Sequence, residues 1–481
     1  MATDHFAPTM GPSDAVLWDI ERNPVLRSTI TAIAVFDRAP DWERLQARMD
    51  RASRLIPRLR QRVVTPALGI GPPRWVIDEH FSLDFHLRRV RAPEPGDLQA
   101  VLDMAAPLAT QGFDRARPLW EFTLVEGLVD GGAALIQKLH HSLTDGIGGV
   151  ELALSMLDGE RDPGPDEPLP VAPEAGDGRP LSAMRASLGE QVASSLDRMG
   201  RLPADGAGAV ASFVTDPVGA LRNTVTMATS VARILAPIPE TASPILTGRS
   251  LDRQFATAEV PLADLHDAAH AAGGTLNDAF LATVIGALRR YHQRNGTDVA
   301  ELRVTMPISL RRSSDDLGGN RFAPARFACE ADIDDPAERM RRLGDAARRW
   351  RAEPGLAATD VVAAVLDRLP SSITTAILGG MLEHVDAVAT NVPGMPERTY
   401  LAGAELIREY AFAPTSGAAL SVALLSHLDT ACLGVVVDAA AVANVDDLMA
   451  CFEEELAAVI ALADGTAPDE RSDDDREGVT R

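Results

Sequence analysis

The chain has 481 residues, a formal net charge of −23, 46% hydrophobic residues and only 4% aromatic ones. That length exceeds one ordinary core and points to two domains, and the hydrophobic fraction is that of a globular chain. The acidic balance excludes nucleic acid and a strongly anionic membrane surface as whole-protein partners.

Met1 to Pro12 lacks the basic start and apolar run of a signal peptide. No apolar run approaches the roughly 18–20 residues that span a bilayer, so any membrane contact is expected to be peripheral. Cys329, Cys432 and Cys451 stand far apart with no CxxC pair. They suggest neither zinc nor a disulfide framework and fit a reducing cytoplasm.

Thr29 to Phe36 reads as a strand, and Asp41 to Val64 as a helix interrupted near Pro57. The arginines from Arg44 to Arg62 form either a patch for phosphates or a solvated helix face. Trp120 to Leu128 and Ala133 to His141 read as strands joined at Val129-Asp130-Gly131-Gly132, where Asp-Gly signals a hairpin. Gly148 to Leu157 looks helical. Gly159 to Pro180, rich in Pro, Gly, Asp and Glu, reads as a linker. Amphipathic helices are expected at Ala186 to Met199 and Val218 to Leu235. The second of these would rest on a lipid surface or face the core.

Arg253 to Val260 opens a second mixed region. Pro261 to Ala272 reads as a short helix. Thr275 to Arg294 reads as a long one with Thr275 as N-cap. Strands are expected at Leu302 to Pro307, Arg321 to Phe327, Ala387 to Asn391, Leu420 to Ser426 and Ala431 to Val437. Val445 to Ala463 closes the region as a helix, and the acidic tail from Asp464 is expected to be disordered. The expected organisation is a first domain over 1–158, a linker with amphipathic helices over 159–245, a second domain over 246–463 and a tail over 464–481. Ligands often bind between such domains.

The segment Lys138-Leu139-His140-His141-Ser142-Leu143-Thr144-Asp145-Gly146 lies where a strand runs into a loop. Successive strand side chains face opposite ways, so one histidine can work on substrate while the other packs behind it. Asp145 can curl back to fix the loop, and Gly146 permits the turn. A neutral imidazole near pH 7 suits general-base catalysis. The bland alternative is a pair of packed histidines, and metal binding lacks further ligands at suitable spacing. There is no GxSxG elbow and no GxxxxGK(S/T) phosphate loop. Gly146-Ile147-Gly148-Gly149 fails as a dinucleotide site because Glu151 occupies the third glycine position.

The string HHxxxDG marks the CoA-dependent acyltransferases, and the chain more specifically resembles the bacterial wax ester synthase/diacylglycerol acyltransferase family. Ser13-Asp14-Ala15 resembles its SPxDA opening, and Pro118-Leu119-Trp120-Glu121 its PLWE segment. Asn277-Asp278 with Gly286-Ala287-Leu288-Arg289 resembles its ND helix. Pro307-Ile308-Ser309-Leu310-Arg311, Gly319-Asn320-Arg321 and Asn391-Val392-Pro393-Gly394 match three further segments. The landmarks run in family order from about Pro12 to Ala463.

The resemblance implies two similar α/β domains, each a mixed sheet with flanking helices, and a tunnel at their interface. It implies an acyl-CoA-dependent O-acyltransferase making wax esters or triacylglycerol, with acyl-CoA as substrate and no cofactor. His141 would be the base, while His140, Asp145 and Gly146 hold its loop. Asn277 would donate to a developing oxyanion, or Asn277 and Asp278 merely cap a helix. Arg311, Asn320 and Arg321 would meet CoA phosphates or pair with buried acids. Asn391, Pro393 and Gly394 would border the substrate channel, with Pro393-Gly394 as a type II turn or simply a tight connection. Leu119 and Trp120 read as packing. Leu246-Thr247-Gly248, Gly394-Met395 and Ala411 to Ala418 depart from the family pattern, which leaves the acceptor open: a fatty alcohol, diacylglycerol, or another alcohol or amine. A lipid-droplet binding protein with little catalysis is the third reading. Burying a methylene contributes about 0.8 kcal/mol, so a sixteen-carbon chain gains at most on the order of 12 kcal/mol.

Overall fold

The computed structural model describes residues 7–67, 71–143, 149–150, 153, 155–164, 168–174, 179–187, 229, 236–309, 322–353, 362–363, 366 and 371–464. Most of both expected amphipathic helices, Gly148 with residues 151, 152 and 154 of the expected helix there, and the acidic tail lie outside the described residues.

The first region opens with helix α1 (Pro12–Ile20) and strand β1 (Thr29–Phe36). Helix α2 (Trp42–Leu55) begins at Asp41, whose carboxylate accepts the Arg44 N–H at 2.9 Å. It buries Leu45, Met49, Ala52 and Ser53, the one face that helical spacing predicts. A 3-10 turn at Pro57–Arg60 ends it, as Pro57 predicts, and a small hairpin follows, β2 (Gln61–Val64) with β3 (Arg74–Ile77). Next come α3 (Leu83–His86), β4 (Leu87–Arg91), α4 (Leu98–Thr110), β5 (Trp120–Glu126) and β6 (Ala133–His140). The β5–β6 turn closes through Gly131 at φ 78°, a conformation that glycine adopts without strain.

The second region carries β7 (Arg253–Pro261), α5 (Leu262–Ala271), α6 (Leu276–Arg294), β8 (Glu301–Ser309), β9 (Phe322–Glu330) and α7 (Pro336–Arg351). It continues through α8 (Ser371–Leu382), β10 (Ala387–Met395), β11 (Tyr400–Leu401), β12 (Ala404–Phe412), β13 (Leu420–His427), β14 (Thr430–Asp438) and α9 (Val445–Asp464). α6 is the core helix of this half. Its residues Ala279 to Leu288 are all buried, packed against the second sheet, α7 and α9.

Two six-stranded mixed sheets result. The first runs β11-β12-β1-β6-β5-β4 and the second β7-β14-β13-β10-β8-β9. The first has one parallel pair, β4 with β5; the second has β10 parallel to both β13 and β8. This is the α/β arrangement of two mixed sheets with flanking helices.

The sheets do not divide where the sequence divides. β12 pairs antiparallel with β1, from Thr31 opposite Phe412 to Phe36 opposite Leu406. The expected second domain, 246–463, therefore lends two strands to the first sheet. The reason lies in packing, because the paired residues of β1 and β12 enter the same cores on both faces, Phe36 with Leu406 on one and Ile33 with Tyr410 on the other.

A second correction concerns Pro393-Gly394. The pair sits inside β10, not in a type II turn. β8 accompanies β10 only at Ala387 and Val388, so Pro393 needs no N–H on that side. A register shift between Val392 and Met395 absorbs the irregularity.

The arginines of α2 are engaged. Arg44 meets Asp162 at 3.2 Å, Arg48 pairs with Asp158, and Arg54 and Arg60 share Asp50. Arg51 and Arg54 also hold the Pro168 and Pro170 carbonyls at 3.0 and 3.1 Å. The described start of the linker is thus strapped along α2, and these charges meet acids and carbonyls of the chain itself. The three cysteines are unpaired and buried. No single helix among the described residues is long and apolar enough to cross a membrane. The pair α5 and α6 passes only when taken together, and it is bent by 93°.

Candidate active site

His140 and His141 end β6. The ladder continues one residue beyond the strand, because the His141 N–H donates to the Ser28 carbonyl at 2.8 Å. The strand alternation therefore carries through both histidines.

His140 is fully buried, and its ring lies edge-on to Trp18 and Phe113 at 6.1 and 6.0 Å. Its Nδ1 accepts the Ser142 backbone N–H at 3.1 Å and lies 2.7 Å from the Ser142 hydroxyl. With Nδ1 accepting that backbone N–H, Nε2 is left to carry the ring hydrogen. That Nε2 points at Glu21 Oε2, 3.4 Å away.

Glu21 follows α1 and is itself buried. Burial alone raises a carboxyl's pKa. The His140 ring, the Ser28 N–H at 3.2 Å and Arg27 at 3.7 Å outweigh that and hold Glu21 below the ordinary carboxylate range. Arg27 is fixed in turn by the Thr110 carbonyl at 2.5 Å. A chain of contacts therefore runs Arg27, Glu21, His140, Ser142 and into the motif loop.

His141 is half-buried, with Nδ1 shielded from solvent. The two histidines differ in burial, His140 fully buried and His141 half-buried. Asp145 and Gly146 lie outside the described residues. Glu21 occupies the orienting position behind His140, 119 residues before it. No local spacing could have pointed to Glu21, although the buried acid Asp14 and Glu21 both belong to the segment around the SPxDA-like opening.

Asn277 and Asp278 sit in the first turn of α6. Asp278 is taken up by a capping box. Its carboxylate accepts the Thr275 N–H at 3.0 Å, and its own N–H donates to the Thr275 hydroxyl at 3.3 Å. Arg348 stands 3.8 Å from the same carboxylate. Capping is thus the role the geometry gives Asp278. Asn277 is half-buried, and among the described residues its amide donates to the Met306 sulfur at 3.7 Å, a weak acceptor. The pair belongs to the second sheet's layer and the histidines to the first.

Arg311, Asn320 and Arg321 lie outside the described residues. Asn391 is half-buried on β10 and Pro393 is exposed. Gly394 approaches Ser426 so closely that a Cβ would stand 1.6 Å from its carbonyl oxygen. The expectation of packing for Leu119 and Trp120 agrees with their complete burial. The Trp120 indole donates to the Leu59 carbonyl at 2.8 Å and stacks on His86 at 4.6 Å. Burial lowers His86 to about 4, so it is neutral. Among the described residues, no group of three or more His, Cys, Asp or Glu is placed to hold a metal ion.

A cavity missed by sequence reasoning lies on the His141 face of the first sheet. It is lined by Phe122, Leu135 and Gln137, by Met156 just after the motif loop, by Met395 at the end of β10, and by Glu409 on β12.

The chain matches two family models. The wax ester synthase/diacylglycerol acyltransferase catalytic domain covers residues 10–280, and the C-terminal domain of the same family covers residues 318–459. A putative diacylglycerol O-acyltransferase of Mycobacterium tuberculosis is 39% identical over 465 residues, spanning 95% of this chain and 93% of the relative. A probable diacylglycerol O-acyltransferase of the same organism is 28% identical over 455 residues, spanning 92% and 93%. The solved wax ester synthase/diacylglycerol acyltransferase of Marinobacter aquaeolei VT8 shares the fold with a TM-score of 0.64 at 22% identity, over 95% of this chain and 100% of that one. A condensation domain of the calcium-dependent antibiotic synthetase shares it with a TM-score of 0.61 at 13% identity, over 96% and 97%. This chain belongs to the wax ester synthase/diacylglycerol acyltransferase family and is an acyltransferase.

Proposed function

We propose that the protein transfers a long-chain acyl group from acyl-CoA to the hydroxyl of a fatty alcohol or diacylglycerol, with His141 as general base. One observation carries the reading: His140 is buried between Ser142 and Glu21, while the adjacent His141 is half-buried and strand alternation turns it to the other face. His141 takes the hydroxyl proton as the oxygen attacks the thioester carbonyl. The tetrahedral intermediate collapses, and the imidazolium returns the proton to the departing CoA sulfur. A thioester is already electrophilic, so no covalent enzyme intermediate is needed. Exclusion of water protects the thioester from hydrolysis. Asn277, whose amide meets a thioether among the described residues, supplies a donor to the oxyanion. The names of the relatives support the acceptor class. We place the reaction in the cytoplasm, with peripheral contact to membrane or lipid inclusions where its substrates collect.

The test is purified protein with palmitoyl-CoA and, in turn, hexadecanol, diacylglycerol and an amine, following CoA release and acylated product. Ester from hexadecanol or diacylglycerol is expected. His141→Ala should lower kcat by about 10²–10⁴ without unfolding the protein. Product from the amine alone, or full turnover by the His141 variant, would refute the reading.

A further inference from the structure

Gln137 lies four residues before His141 on the same face of β6, about 13 Å away along an extended strand. The strand register defines its surroundings. Glu409 on β12, Ala34 on β1 and Leu135 on β6 form one row, and Ala32, Gln137 and Phe122 meet in the next. β1 contributes only alanine between the two polar side chains, which leaves a hollow. The hollow is a cavity of about 20 Å³, room for one water-sized group.

Gln137 donates to Glu409 Oε1 across a long 3.4 Å, and both side chains are more than nine-tenths buried. The remaining lining is apolar and includes Met49, Met156 and Met395, side chains that repack readily around a ligand. Two of them tie the hollow to the reaction: Met156 follows the histidine motif, and Met395 ends the strand that carries Asn391 to Gly394. Burial raises the Glu409 carboxyl to about 7, with Gln137 opposing. Around neutrality much of it is then protonated, able both to donate and to accept. An all-aliphatic chain would make no use of either group, and the long bond between them leaves further capacity on both.

We infer that this hollow is a subsite for a hydroxyl or carbonyl carried part-way along an aliphatic substrate chain, held by Gln137 and Glu409. The enzyme then favours an oxygenated chain over the plain one. The inference rests on the proposed acyl transfer from His141 and sets its chain specificity.

The experiment compares kcat/KM for stearoyl-CoA with a mid-chain hydroxystearoyl-CoA, using hexadecanol as acceptor. A second arm compares hexadecanol with a mid-chain hexadecanediol, using stearoyl-CoA. A preference of at least about tenfold for the oxygenated substrate is expected in one arm, which also identifies whether donor or acceptor chain occupies the hollow. Gln137→Leu and Glu409→Leu should abolish that preference. Each ratio is measured within one preparation, so partial unfolding of a variant does not alter it. A ratio near one in both arms, or a preference that survives in both variants, overturns the inference. Absence of turnover with every substrate overturns the proposed reaction instead. Equilibrium binding of hydroxystearate against stearate then decides the subsite by the same ratio.

Discussion

At the scale of single residues, the contact between Glu21 and the buried His140 ring makes Glu21 a positioning group. Its carboxylate stands 3.4 Å from His140 Nε2, and His140 Nδ1 in turn accepts the Ser142 N–H of the motif loop. Glu21→Gln removes the charge but keeps the shape. Because displacements of about 1 Å at a reacting centre can cost on the order of a hundredfold, kcat should fall between about ten- and a hundredfold while KM stays near the wild-type value. An equal rise in KM would show a collapsed pocket, and unchanged kcat would deny Glu21 any part in placing the loop. Glu409 makes the opposite electrostatic statement. Its pKa is raised from 4.5 to about 7 by burial, so the folded state holds a proton that the unfolded chain releases. The stabilisation is complete below about pH 4.5 and is lost as pH rises through about 7. The loss amounts to on the order of 3 kcal/mol. Urea unfolding of wild type and Glu409→Gln at about pH 5 and about pH 8 should show the difference between the two proteins changing by that order. Parallel pH profiles would mean that Glu409 titrates normally.

At the scale of elements, local signals carried the reading where local physics decides structure. β1 over Thr29–Phe36 coincides with the expected strand, and the long helix begins at its expected cap Thr275. The hairpin into His140 turns at its Asp-Gly step. Nonlocal pairing was not legible in the same way. Glu21 meets His140 only through the tertiary fold, and nothing within β12 announces that it will pair with β1. The segment Asn391 to Gly394 misled for a different reason, since Pro-Gly satisfies both a type II turn and an irregular strand end. The close approach of Gly394 to Ser426 separates these possibilities. A turn glycine is needed for its positive φ, whereas Gly394 is needed for lack of a Cβ, with a Cβ 1.6 Å from the Ser426 oxygen. Gly394→Ala must therefore push β10 away from β13, at a cost of roughly 1–3 kcal/mol. Thermal unfolding should show a clearly lowered midpoint, and a variant as stable as wild type would mean that the strands are not held at this spacing.

At the scale of the molecule, the two halves are joined through a shared sheet as well as through a face. β12 leaves the second region, pairs with β1 along six register positions and also packs against β13 and β14. The first region by itself would end in an open edge at β1, whose Ile33, Ala34 and Phe36 are core residues. An unpaired edge of that kind invites aggregation. Glu409 and Leu406, which close the hollow beside Gln137, arrive on the same strand, so the pocket exists only when both regions are present. Independent folding of two domains is the ordinary expectation for a chain of this length, and the shared sheet argues against it here. Residues 1–158 expressed alone should aggregate or remain unfolded. The same chain divided at Gly206 and co-expressed as two pieces should yield a complex that co-purifies and unfolds in one cooperative transition. A soluble, cooperatively unfolding monomer of residues 1–158 would show that β12 is dispensable to the first sheet. The two regions would then be separate domains that merely touch, and the hollow between Gln137 and Glu409 would be a product of docking rather than of folding.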